Sequence, residues 1–150
     1  MPKLTILTAC ERVIIDRQSS LPTLVNIFQR MNVPVDQPPP PNAVAPQRWG
    51  VFALWAHTPE ERDIEYTQHV QILGPSGDVF VEAVIKFKVT ESDDLQSKNN
   101  LDVLGMPIGP EGFIKIRVWL DGIADSTGEY QFAIKHVPKE QQNGQQPAIN

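Results

Sequence analysis

Cysteine is nearly absent from this chain: Cys10 is the one thiol in 150 residues. That rules out an internal disulfide framework, so the fold must be held by burial and hydrogen bonding alone. Long apolar runs are missing as well. No stretch approaches the roughly 20 consecutive apolar residues of a membrane helix, which excludes a helical span. Histidine is scarce, with His57, His69 and His136 scattered and no HxH, HExxH or CxxC spacing to gather ligands, so neither a metal nor a cofactor is expected. Ser19, Ser20, Ser76 and Ser126 stand outside any GxSxG context. Gly74-Pro75-Ser76-Gly77 is a turn and not a phosphate loop, because proline removes a donor and no helix follows. Basic residues are outnumbered, 13 against 18 acidic, for a net charge of -5. That balance argues against a sequence-independent grip on nucleic acid, which needs clustered Lys and Arg. The first residues pass straight into strand pattern without a basic segment, apolar run and cleavage site, and a cytoplasmic protein is expected.

What is present is alternation. From Asp78 to Val89, the residues Val79, Val81, Ala83, Ile85, Phe87 and Val89 fall on one side of an extended strand. The opposite side carries Asp78, Glu82, Lys86 and Lys88, with only Phe80 and Val84 apolar. Period two with one wet face points to an antiparallel sheet. Further strands follow the same logic. Leu4 to Ile15 reads as one long strand with an interruption, and Asp16 to Ser20 as the turn of a first hairpin returning through Leu24 to Gln29. A helix also fits there, since Leu21, Leu24, Phe28 and Met31 share a stripe that Ser20 could cap. The β-branched Val25 and Ile27, with Asn26 between them, favour the strand.

The proline-rich segment from Val33 to Pro46, with its run Pro38 to Pro41, predicts a polyproline crossing loop. It is either a stiff connector between sheets or a ligand for an aromatic groove on another protein. Arg48 to His57 is apolar on both faces, so it is central or covered by another subunit. Ile64 to Leu73 alternates with Gln68 as the one break, and Gly74 to Gly77 turns it into the Asp78 to Val89 strand as a second hairpin. Glu91 to Asn100 is polar and predicts a mobile surface loop, followed by a short Leu101 to Leu104 segment. Its Asp93 and Asp94, with Asp102, could offer oxygen ligands to calcium, but without regular spacing a solvated acidic loop is the expectation. Phe113 to Leu120 places Ile114, Ile116, Val118 and Leu120 on one face, and Asp121-Gly122 predicts a tight turn with positive φ at both positions. A bulge near Ser126 to Gly128 and a closing strand over Tyr130 to Val137, with Tyr130, Phe132 and Ile134 inward, complete the pattern.

These elements predict an all-β protein: a two-layer antiparallel β-sandwich, immunoglobulin-like or related, of about seven to nine strands with a Pro-rich crossing loop. Residues 1–138 form one domain, which at 150 residues needs no staples. The Gln- and Asn-rich 139–150 read as a disordered tail.

The candidate site is the other face of the Phe113 strand, where Phe113, Lys115, Arg117 and Trp119 project together. Aromatics beside cations are favoured at protein interfaces. The internal alternative is that the proline loop covers Trp119. Trp49 and Trp55 share a face of their own strand and define a second candidate patch. The leading expectation is a non-enzymatic module that binds a protein partner or associates with itself. A competing class is a small hydrolase or transferase with a pocket at the sandwich-end loops, where His57, His69, Cys10 or Asp121 would converge. A third is carbohydrate or ligand recognition through Trp49, Trp55 or Trp119.

Ala9-Cys10-Glu11-Arg12-Val13-Ile14-Ile15-Asp16, followed by Leu24-Val25-Asn26-Ile27-Phe28-Gln29-Arg30, resembles a family of small uncharacterised bacterial proteins classed as a domain of unknown function. The similarity runs from about Leu4 to Val137, and the strand from Gly112 to Gly122 is similar to one that closes members of that family and many other sandwiches. The resemblance implies a β-sandwich and no activity, and it carries over no catalytic residue.

Overall fold

A computed structural model of the chain describes residues 1–91 and 94–139. Nine strands run in order: β1 Lys3–Ile15, β2 Pro22–Ile27, β3 Arg30–Val35, β4 Val44–Ala56, β5 Glu65–Leu73, β6 Val79–Lys88, β7 Gln96–Pro107, β8 Gly112–Leu120 and β9 Ile123–Pro138. A 3-10 turn, Pro59–Glu61, lies between β4 and β5. They form two sheets, a four-stranded sheet A ordered β2-β1-β4-β7 and a five-stranded sheet B ordered β3-β9-β8-β5-β6. Among the described residues no helix is long and apolar enough to cross a membrane. The tail beyond Lys139 and Asp93 of the acidic loop lie outside the described residues.

The inward rows of the two sheets meet in one core. Sheet A supplies Ala9, Trp49, Val51, Ala53, Trp55 and Val103, and sheet B supplies Val70, Ile72, Phe132 and Ile134. Ile114, Ile116, Val118 and Leu120 are all buried, as the alternation of their strand requires. The β5–β6 and β1–β2 hairpins form as expected.

The segment from Leu24 to Gln29 is extended, and it changes sheets at its end. Asn26 takes a positive φ of 52. Phe28 N–H still bonds the Ala9 carbonyl of sheet A at 2.8 Å, while the Gln29 carbonyl accepts from Ala133 N–H of sheet B at 3.0 Å. Phe28 drops its ring into the core at this corner, 5.3 Å from Phe132 and 6.1 Å from Trp49. β3 then lies parallel to β9, so the sandwich is mixed and not wholly antiparallel. The chain enters sheet B beside its own last strand, a pairing that local pattern does not encode.

Three other expectations are corrected. Val79 does not join the inward row of β6: it is 51% exposed, because a register shift between Ile72 and Leu73 rotates the strand near its turn. Val81, Ala83, Ile85 and Phe87 do pack on the core, but half-buried, since β6 is an edge strand. At Asp121-Gly122 only the glycine has positive φ, 72°. The twist is taken up by a bulge opposite Val118 and Leu120, where Ser126 Oγ accepts from Leu120 N–H at 2.7 Å and donates to the Ile123 carbonyl at 2.6 Å. The polar stretch expected as a loop up to Asn100 is strand from Gln96 onward. Ser97 and Asn99 point inward there, and their polar atoms find partners across the core.

Sheet A also covers part of its own outer face. Phe52 and Cys10 are fully buried, yet Phe52 alternates with the inward Val51 and Ala53. Beyond Cys10, β1 parts from β4 and continues only with β2. The hairpin then folds back over the sheet: Val13 Cγ2 lies 3.6 Å from where a Cβ on Gly50 would stand. At its tip the Ser20 carbonyl accepts from Lys98 Nζ of β7 at 2.6 Å. This explains how β4 is apolar on both faces without a second subunit.

Candidate partner-binding face

Trp49 and Trp55 are core residues. They are 1% and 0% exposed, and their indole N–H groups are spent inside, Trp49 Nε1 on the Gly105 carbonyl and Trp55 Nε1 on Gln68 Oε1, each at 2.7 Å. The expected patch at these two residues therefore does not exist on the folded surface. The other four candidates do share a surface, the outer face of sheet B.

Register defines that face row by row. Val84, His69 and Trp119 lie side by side on β6, β5 and β8. The next row is Glu82, Gln71, Arg117 and Glu129, then Leu73, Lys115 and Gln131, then Phe113, Ala133 and Arg30. Trp119 is not under the proline loop. It stacks flat on the His69 ring, centroids 5.2 Å apart and planes 6° apart, and with Val84 and Glu82 it borders a shallow groove of about 230 Å³. Arg117 is held by Glu129 at 2.6 Å, and Gln71 donates to Glu82 at 2.9 Å, so the middle row is a ladder of satisfied polar pairs.

The two ends of the face are different. Phe113 is 51% exposed and Val84 58% exposed, well above what a core strand allows. Around Phe113 stand Arg30, Lys115 and Lys135, all exposed. Among the described residues none of the three forms an ion pair. In a chain of net charge -5, this is a local cationic patch with an aromatic centre.

The groups that a hydrolase would need do not converge. His69 Nε2 lies 3.8 Å from Asp121 Oδ1, but His57 sits at the end of β4 and Cys10 in sheet A. Burial pushes the Cys10 thiol above its ordinary pKa, only partly offset by its contact with the Arg12 carbonyl, which is the opposite of an activated nucleophile. His136 donates through Nε2 to the Ile108 carbonyl at 2.7 Å. Asp102 lies on the outer side of β7 opposite Gly50. Among the described residues no group of three His, Cys, Asp or Glu is placed to hold a metal ion.

Sequence patterning missed one cluster. His57 Nε2 shares a 2.9 Å hydrogen bond with Ser97 Oγ, and His57 Nδ1 is 3.7 Å from Glu61 Oε2. The residue types are those of a hydrolytic triad, but the geometry is not. The His57–Glu61 separation is beyond a hydrogen bond, all three residues are buried, and the rings of Tyr66 and Phe87 pack on His57 at 5.7 and 6.0 Å. Ser97 Oγ is engaged by His57 Nε2, and His57 Nδ1 has no hydrogen-bond partner among the described residues, so the cluster is a buried polar part of the core with one unmet ring nitrogen. Burial holds His57 below its ordinary pKa of 6.5, outweighing the opposite pull of Glu61.

No protein-family model matches the chain, and no curated protein matches it in sequence.

Proposed function

We propose that this protein is a non-enzymatic binding module that docks an acidic protein partner on the outer face of sheet B. The observation that carries the proposal is Phe113, half-exposed at the end of the face where Arg30, Lys115 and Lys135 stand at neighbouring register positions without an ion pair among the described residues, the nearby Glu111 being engaged by His136 N–H. An exposed ring supplies desolvation energy to a partner, and the surrounding cations choose its charge. Arg117 and Trp119 contribute differently. Each already has an internal partner, so they stiffen the face and do not anchor the ligand. Proteins retained from the native source on the immobilised chain are compared with those retained on the Phe113→Asp, Lys115→Glu variant, and each is then rebound in purified form. An acidic partner lost by the variant, with affinity falling as salt rises, is the expected result. A set of bound proteins indifferent to both substitutions refutes the proposal. Equilibrium sedimentation of the chain alone separates self-association from a distinct partner.

A further inference from the structure

We propose a second site: the cleft at the proline-rich end of the sandwich is a socket for one aromatic side chain of a partner protein, carried beside a basic residue. It lies where three loops meet, apart from the Val84–Trp119 groove. Its walls are Pro41 of the crossing loop, Pro75 of the β5–β6 turn, Pro107 at the end of β7 and Pro110 of the β7–β8 connection, with Phe80 alongside and Asp78 among the lining residues.

Four features carry the assignment. The cleft holds about 290 Å³, at the small end of the range of about 300 to 1,000 Å³ that ligand sites occupy, a size that one aromatic side chain fills. Its walls are pre-set. Proline rings have little freedom to lose on binding, and the loops are tied by Ala43 N–H to the Pro40 carbonyl at 3.0 Å, Ile108 N–H to the Ala43 carbonyl at 3.0 Å, and Gly74 N–H to the Asp78 carbonyl at 2.8 Å. The loops touch at glycine: a Cβ on Gly109 would run into the Pro41 carbonyl, and one on Gly112, whose φ is +148, would stand 3.2 Å from Pro75 Cβ. Such close approaches fix the cleft before any ligand arrives. The mouth is apolar and uncovered, since Val44 and Val79 beside it are about half exposed. Finally, Asp78 is the only charged residue among those lining the cleft, and it forms no ion pair among the described residues. Proline and phenylalanine surfaces suit a flat ring, and the lone carboxylate selects a cation next to it.

The test is a titration of ¹⁵N-labelled protein with acetyl-Arg-Trp-amide, acetyl-Glu-Trp-amide and tryptamine, following the amides of Ser76, Gly77 and Val79. The Arg-Trp dipeptide is expected to shift these amides with millimolar affinity, about fivefold tighter than Glu-Trp, the upper range for one exposed ion pair. Asp78→Asn is expected to bring the two dipeptides within twofold. Asp78 is exposed, so the substitution spares the fold, and far-UV circular dichroism checks this. Absence of shifts at these amides, or equal binding of both dipeptides to the unaltered protein, overturns the proposal. Tighter binding of tryptamine than of Arg-Trp overturns the protein partner in favour of a free aromatic amine.

Discussion

Gln68 is the position where the structure makes its sharpest demand. Its Oε1 accepts from Trp55 Nε1 at 2.7 Å and from Asn99 Nδ2 at 2.8 Å, and all three residues are buried. One acceptor therefore satisfies two donors from two other strands. Gln68→Leu keeps the approximate volume and adds apolar surface, but it orphans an indole N–H and an amide N–H in a dry core. Each orphaned donor costs about 1–3 kcal/mol, and the leucine returns about 1–2 kcal/mol of transfer energy. The net expectation is a loss of about 2.5 kcal/mol at mid-range, within limits of about 0–5 kcal/mol, a large share of a total stability of about 5–15 kcal/mol. Urea unfolding followed by tryptophan fluorescence measures it, with an unchanged slope showing that the two end states are the same. The double variant Gln68→Leu, Asn99→Leu should recover part of the loss, because one orphan disappears with its side chain. A Gln68→Leu protein as stable as the parent or more so would refute the argument, since the two donors would then have other partners.

Ile116→Asp, at a fully buried position, should prevent folding, while Lys86→Asp should stay within about 1 kcal/mol of the parent because it loses only an exposed 3.8 Å contact with Glu65; soluble yield and thermal melts compare them, and like behaviour would reverse the facing of sheet B. Because burial lowers the His57 pKa in the fold, the unfolded chain binds its proton first on acidification: this contribution is complete above about pH 6.5 and is lost below it, by up to about 1.4 kcal/mol per pH unit. His57→Gln should flatten the difference between urea midpoints at pH 7.5 and 5.5, and an identical slope in both proteins would remove His57 from the account.

How much of this was legible in the sequence depends on whether the cause is local. Alternation along Phe113 to Leu120 is a property of one strand, and it correctly separated buried Ile114, Ile116, Val118 and Leu120 from the Phe113 face. The two faces of β4 were equally legible as apolar, but not what covers them, since the cover for Phe52 is a hairpin whose tip is fixed by Lys98, 78 residues from Ser20. Trp49 and Trp55 lie on the opposite face of β4 from Phe52, in the inward row with Val51 and Ala53, and the pattern of one strand does not say which of its apolar faces meets the second sheet. The inward Ser97 and Asn99 made β7 look like a loop, because the pattern counts polarity and cannot see that Gln68 and His57 supply their partners. The parallel β3–β9 pair joins residues about a hundred positions apart, and no local signal announces it. Of the candidate site, the facing was readable. The isolation of its three cations was not, since that depends on which acids the neighbouring strands bring alongside.

The two sheets deal with their outer faces in opposite ways, and the difference bears on the kind of complex expected. Sheet A folds its own hairpin over Phe52 and Cys10. Sheet B, among the described residues, has no such cover, and its middle row is closed to a ligand by the Arg117–Glu129 and Gln71–Glu82 pairs. Those groups are already engaged with one another, so a partner gains most at the Phe113 end, where the cations are unspent. Five strands at about 4.8 Å spacing, over the roughly 20 Å from Phe113 to Trp119, present on the order of 400 Å² in projection. A stable interface takes about 800 Å² from each partner. A partner confined to this face would therefore bind transiently, with charge supplying the rate of encounter and Phe113 the grip; a lasting complex would have to extend past the β3 or β6 edge.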